Sequence, residues 1–469
     1  MGHTDTMSTF NPLEPLFHRT RHSIYSTLAH YDKQMRLQPE LAEKWDFAAD
    51  NKTVTFKLRQ GVKFHSGREF TSADVKFTAE YAATNERVLL RPLYRMVTGV
   101  ETPDKYTVSF KLSSPNAGIY DLIDTLSIID SESVKDSASV GIGTGPFKLD
   151  KYLPNDRVEM VAFKDYWDKG KPYVDKLVSR IIPDPTALTI NLESGALDCA
   201  WRVSYPDAAR LKSAGSKFAV DPGSGGYIFN IAINVKLEPF TNKKVRQAIA
   251  WSIDRARFCR TVQQGLVEAS CLIWPRNSWA YLGDLEGSIG FDLDKAKALL
   301  REAGLEKGFE TEIMTSSKLQ YGLGDLAVIL QADLKKIGIN AKVSDLETAQ
   351  YGARRDKGDI ALMAHTYGRA NRDPAGTLTM AKSWYTEKEQ AWTHFESAEY
   401  DKLRQEMQQT LEQEKRIPIA RKVQQLALDE CFTNPIAGAP VVWAYASHVK
   451  GLWYDMDDAL YGSEVWLDR

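Results

Sequence analysis

The run TVTFKL at 53–58 alternates Val54, Phe56 and Leu58 with Thr53, Thr55 and Lys57. That period of two marks a strand with one buried face. YTVSFKL at 106–112 repeats it with Tyr106, Val108, Phe110 and Leu112. Between the two, TSADVKFTAEYAAT predicts a helix that Thr71 or Ser72 can cap. A compact α/β unit over 40–145 follows from this order.

Further along, GTGPFKLDKY (143–152) is a Gly-Pro turn entering a strand. VDKLVSRIIPD predicts a strand, and PTALTINLESGALDCAW predicts a helix, a glycine stop and a second strand. GSGGYIFNIAIN is a glycine-rich entry into an apolar strand. TNKKVRQAIAWSIDRARFC predicts one periodic helix with Val245, Ala248, Ile249, Ile253 and Ala256 on its apolar stripe. FDLDKAKALLREAG has Asp292 as a cap and Gly304 as a stop. GDLAVILQADLKKIGINAKV predicts a helix ending at Gly338 and leading into a strand. The segment from EYDKLRQ to LALDE is mostly helical with an interruption at Pro418, and PVVWAYASHVKGLWY returns to strand. Helices and strands alternating at this spacing predict the α/β class.

A chain of 469 residues exceeds what one core needs, so two or more domains are expected. Sixty Lys and Arg against 62 Asp and Glu leave a net charge of -2, with no basic footprint for nucleic acid and no polybasic membrane patch. No apolar run approaches the roughly 18 residues of a membrane-spanning helix. The opening MGHTDTMSTFNPLEP has no charged region followed by an apolar one, so no signal peptide is expected in this sequence. If the protein is exported, this is its mature chain with a replacement start methionine.

Chemistry is sparse. The sequence has no G-x-x-x-x-G-K-[ST], no G-x-G-x-x-G after a strand, no G-x-S-x-G and no H-E-x-x-H. GSGGY (223–227) reads as a tight turn rather than a phosphate cradle. His18, His22 and His30 share a segment, but no carboxylate or cysteine completes a ligand set, so no metal and no cofactor are expected. Cys199, Cys259, Cys271 and Cys431 form no CxxC. Cys259 and Cys271 are close enough to bridge, and unpaired buried thiols fit equally. No nucleophile–base pair is evident, so the chain is expected to bind rather than catalyse.

One stretch is more specific. LQPELAEKWDFAADNKTVTFKLRQGVKFHSGREFTSADVKFTAEY (37–81) resembles the signature region of the family 5 extracellular solute-binding proteins, the dipeptide-, oligopeptide- and nickel-binding components of ABC importers. GTGPFKLDKY, FNIAINVKLEPFTNKKVRQAIAWSIDR, FDLDKAKALLREAG and VVWAYASHVKGL follow in the family's order. The resemblance implies a two-lobed periplasmic-binding-protein fold, type II and cluster C, with an additional small α/β subdomain. Lobe I would comprise 1–39, 146–238 and 436–469, the subdomain 40–145, and lobe II 239–435. The implied partners are a small-molecule ligand held between the lobes and the transmembrane subunits of an ABC permease. A monomer is expected, periplasmic or lipid-anchored outside the cell. Most of the signature reads as architecture: Trp45, Phe56, Leu58, Phe64 and Phe77 as core, Gly61 and Gly67 as turn positions, and His65 as a structural residue beside them.

Four loops are candidates for the ligand site. They offer Phe10 and Asn11 from MSTFNPLEP, Trp201 and Arg202 from CAWRVSYP, Tyr227 from GSGGYIFN, and Tyr367, Arg369 and Asn371 from HTYGRANRDPAG. In many peptide-binding members the last loop reads G-A-D-Y-x-D/E-P, and its first Asp pairs with the peptide ammonium. Aligned on Asp373–Pro374, this chain has Ala370 there, with Arg369 just before it. A guanidinium fork suits carboxylate or phosphate, and Arg202 can meet the same anion. Phe10, Trp201, Tyr227 and Tyr367 can form an apolar or stacking wall. Asp373 reads as a turn residue, and Arg372 as solvent-facing or paired with Asp373. The ligand expected is a small organic anion, or a modified peptide or sugar conjugate bearing an acid. The alternatives are a classical di- or oligopeptide and a nickel chelate with His365 nearby; an enzyme on this scaffold is the alternative of another class.

Overall fold

The computed structural model describes residues 1–4, 10–14, 20–88, 90–133, 141–223, 225–369, 372–386, 391–455 and 457–468. The chain divides into two compact units, Met1–Ser224 with Val441–Arg469, and Gly225–Pro440.

The first unit is built on a seven-stranded sheet in the order Phe218–Asp221, Trp443–Ala446, Cys199–Trp201, Gly2–His3, Lys176–Ile181, Arg157–Ala162 and Phe147–Leu153. Gly2–His3 runs parallel to both of its neighbours, and the other pairings are antiparallel. A separate antiparallel sheet holds Ala42–Phe47, Thr53–Leu58, Thr107–Leu112 and Val97–Asp104. Val54, Phe56 and Leu58 are buried as the alternation predicts. The helix Ser72–Thr84 starts on a capping box between Thr71 and Asp74. Trp45 and Phe77 depart from expectation in being only half-buried. Trp45 lies on the edge strand of its sheet, and Phe77 stacks along its own helix on Tyr81.

His65 is structural, as its place beside the turn implied. Its backbone N–H donates to the Gly143 carbonyl at 2.9 Å, and its Nε2 lies 2.9 Å from the Gly145 carbonyl. Burial lowers its pKa to about 4. Gly143 must be glycine, because a Cβ there would sit 2.1 Å from the Ile24 carbonyl oxygen. His22 is also buried, 2.8 Å from Asp455 and stacked on Tyr461. His30 lies 3.8 Å from Glu40, and His18 falls outside the described residues. Among the described residues no group of three or more His, Cys, Asp or Glu can hold a metal ion.

The second unit has a five-stranded sheet in the order Asn340–Asp345, Glu310–Thr315, Leu362–Tyr367, Ile228–Ile233 and Thr433–Gly438. The first three are parallel, and Ile228–Ile233 is antiparallel to both neighbours. Alternation along Ile228–Ile233 divides the core. Phe229, Ile231 and Ile233 pack on Val245, Ile249, Leu326 and Leu330, while Ile228 joins Tyr367, Trp384, Tyr400 and Phe432.

Two helix expectations are corrected here. The segment after Asn242 is two helices, Lys243–Ser252 and Arg255–Thr261. Ile253 is extended, and the Asp254 carboxylate accepts the Arg257 N–H at 2.9 Å, so a local cap outcompetes continued periodicity. Ala256 is consequently exposed, and Phe258 and Cys259 take the core positions. The other break falls between Ala398–Gln409 and Gln413–Glu430, and the second helix runs through Pro418. The proline removes only one ladder bond, and burial of Arg416, Ala420 and Val423 holds the helix across it. All four cysteines are buried free thiols, so Cys259 and Cys271 are not bridged. Among the described residues no helix is long and apolar enough to cross a membrane.

Candidate ligand site

In the first unit, the strand Cys199–Trp201 ends in a reversal at Arg202, whose φ is +68°. The N–H groups of Arg202 and Val203 both donate to the Val442 carbonyl, at 2.9 and 3.2 Å, which fixes the turn. Trp201 points into the core with Trp443, Val441 and Tyr454. Arg202 is exposed, with its guanidinium carbon 5.1 Å from the centre of the Trp201 ring. The helix Tyr205–Ser213 starts directly afterwards, capped by Ser204.

Phe10 and Asn11 lie apart from that pair. Phe10 packs with Ile24, Tyr25, Phe147 and Met160, edge-on to Tyr152. The Asn11 amide donates to the Tyr81 hydroxyl at 2.8 Å and to Glu14 at 3.1 Å, and its oxygen accepts the Leu13 N–H.

In the second unit, Tyr227, Gly368 and Arg369 come together. Ile228 and Tyr367 are register partners, so the residues beyond them leave the sheet side by side. The Tyr227 ring is 42% exposed and lies on Gly368, where a Cβ would approach Cε1 to 3.0 Å. Tyr367 turns inward: its hydroxyl donates to the Ile273 carbonyl at 2.6 Å, and its ring meets Trp384 edge-on. Arg369 is half-buried with φ at +63°, a conformation rare for a residue with a side chain. Its carbonyl accepts from the Arg372 N–H and the Thr377 hydroxyl, both at 3.3 Å. Ala370 and Asn371 lie outside the described residues.

Asp373 closes the loop. Its carboxylate caps the helix Pro374–Met380 by accepting the Ala375 N–H at 2.9 Å, and Arg416 donates to both of its oxygens. Arg372 is fully buried, which corrects the expectation that it faces solvent. His365 sits deeper in the strand, 2.8 Å from the Asn230 amide, and burial lowers its pKa to about 4. Thr377, Trp384 and Arg416 were not legible as parts of this loop's support. They are distant in sequence, and no local pattern marks a long-range pair.

A model of the bacterial extracellular solute-binding proteins, family 5 Middle, matches residues 36–388. The chain belongs to this family. It is therefore a solute-binding protein of the kind that serves ABC importers. Heme-binding protein A of Haemophilus influenzae is 26% identical over 484 aligned residues, covering 96% of this chain and 88% of the relative. The dipeptide-binding protein of Escherichia coli is 29% identical over 451, covering 88% and 83%. Among solved structures, HbpA2 from Haemophilus parasuis has a TM-score of 0.86 at 25% identity, covering 99% of each chain. AgaA from A. tumefaciens R10, in complex with agropinic acid, has a TM-score of 0.80 at 24% identity, covering 100% of this chain and 98% of AgaA. The shared fold is the two-lobed periplasmic-binding-protein fold expected from the signature blocks.

Proposed function

We propose that this solute-binding protein captures a small organic anion, or a modified peptide or sugar conjugate bearing an acid, and that Arg369 receives the acid group. The observation that carries this reading is the placement of Arg369: half-buried, in a left-handed conformation at a strand exit, beside the exposed ring of Tyr227. A backbone turn of that kind persists where surrounding bonds hold it, and the Thr377 hydroxyl and Arg372 N–H do so here. The substitution of alanine for the family's acidic anchor at position 370 supports an anion over a peptide ammonium. AgaA, solved with agropinic acid, is a relative of the same fold whose ligand is an acid.

Arg202 is proposed as the second cation, and Tyr227 as a stacking surface. Asn371 stays a candidate polar contact. Phe10, Asn11, Trp201 and Tyr367 are packed or bonded within their own units, and their proposed part is to set the walls behind the contacts. The segment 40–145, which carries its own four-stranded sheet, is proposed as an added subdomain between parts of lobe I, with lobe II at 239–435. We infer a non-catalytic monomer, periplasmic or lipid-anchored outside the cell, that delivers its ligand to permease subunits and does not bind nucleic acid.

A second reading, a di- or oligopeptide receptor, is favoured by the dipeptide-binding relative at 29% identity. Native mass spectrometry of freshly purified protein separates the two. A co-purifying acid supports the proposal, and a co-purifying mixture of unmodified peptides contradicts it.

A further inference from the structure

A cavity lies inside the second unit, behind the residues that support the loop. It is small, about 10 Å³, and is lined by Arg255, Cys271, Ile289, Trp384, Gln424 and Thr433 among others. That is about the room one water-sized sphere needs. Arg255 is 6% exposed. Its Nε donates to the Pro435 carbonyl at 2.9 Å and its Nη1 to the Ala250 carbonyl at 3.2 Å. Its Nη2 is buried with no hydrogen-bond partner. Trp384, fully buried on the same cavity, has its indole Nε1–H in the same condition. Both groups are donors without acceptor capacity, so whatever satisfies them must accept.

The charge balance points the same way. Arginine stays protonated, and a buried charge without a counter-charge is costly. Glu286 acts on Arg255 only through space: its Oε1 accepts from Ser270 Oγ at 2.7 Å and Tyr281 Oη at 3.1 Å. The Cys431 thiol, pushed up to about 12 by burial, is neutral and donates to the Leu428 carbonyl at 3.1 Å. The polar neighbours already have work. Gln424 Oε1 accepts the Ile273 N–H at 2.8 Å, and Thr433 Oγ1 accepts from the Asn230 amide. A water would accept from the two orphan donors but bring no charge into direct contact with the guanidinium, whose electrostatic partner Glu286 gives it no hydrogen bond.

We propose that this cavity binds a single halide-sized anion, chloride in ordinary buffers, held by Arg255 Nη2 and Trp384 Nε1. The site shares Trp384 with the support of the ligand loop, through that ring's edge-on contact with Tyr367. Its occupant is a structural counter-ion that fixes the packing of Arg255, Trp384 and the strand Thr433–Gly438.

Crystals grown in sodium bromide test it directly. The expected result is an anomalous peak within hydrogen-bonding reach of both donors; a peak-free site holding only water overturns the proposal. In solution, thermal melts in the Arg369→Ala background, which keeps anions off the loop, compare chloride with methanesulfonate at constant ionic strength. Saturable stabilisation by chloride alone is expected. Trp384→Phe should raise the midpoint chloride concentration by about tenfold, the loss of one hydrogen bond to a charged partner. Melting that responds identically to the two anions overturns the proposal, and this readout does not depend on whether Arg255→Gln folds.

Discussion

Arg416 grips Asp373 with two guanidinium nitrogens, Nη1 at 2.6 Å from Oδ2, across 43 residues of sequence, with both side chains buried. The same carboxylate caps the helix that follows the Arg369 loop. One pair therefore sets where the loop ends and where its helix begins. Removing Asp373 takes away the carboxylate that two guanidinium nitrogens of the buried Arg416 share. Asp373→Ala should destabilise the protein by about 3–5 kcal/mol, read as a lower midpoint in urea unfolding. A loss under about 1 kcal/mol, the scale of an exposed ion pair, would show that the pair does not hold the loop.

Gly368 gives the loop a second constraint. A methyl group there meets the Tyr227 ring at 3.0 Å, and the ring is exposed enough to swing away. Gly368→Ala should leave stability within about 1 kcal/mol of wild type while weakening ligand binding, because the stacking surface moves. Unchanged affinity by calorimetry would remove Tyr227 from the site.

Two buried histidines predict the acid limb of stability. His65 and His365 are lowered to about 4 by burial, against an ordinary value of 6.5. Between those values the unfolded chain binds protons that the native chain refuses. Their stabilisation is thus whole above pH 6.5 and is lost as pH falls toward 4, by up to about 3 kcal/mol each. Urea unfolding across that range should show stability dropping with pH, and His365→Asn should flatten the slope.

The thiols give a simple chemical check. All four are buried, and burial pushes Cys259 and Cys431 up to about 12. A thiol reagent at pH 8 should label none quickly in the native protein and all four in denaturant. Fewer than four in denaturant would indicate a bridge.

Much of the fold was legible because periodicity and caps are local. Val54, Phe56 and Leu58 alternate as their strand does, and Asp292 and Gly338 mark helix ends where they were expected. The errors arose where two local signals competed, as at Asp254, where a cap broke a run that periodicity would have continued. The candidate site was legible only in part. Chain order and the resemblance pointed to the loops, and the reversals at Arg202 and Arg369 fall inside two of them. That Tyr367 faces the core, that Arg372 is buried and that Asp373 belongs to Arg416 depend on contacts made across the fold. No window of sequence contains them.

The central claim is that Arg369 receives an acid group, and titration calorimetry of Arg369→Ala with the co-purifying ligand tests it most directly. A charge-assisted hydrogen bond of roughly 1.5–3 kcal/mol predicts binding weakened by about tenfold to a few hundredfold. The unliganded variant should melt within a few degrees of wild type. Arg369→Lys should recover only part, since the planar fork is lost. Wild-type affinity in Arg369→Ala would contradict the account, leaving the loop a solvated turn.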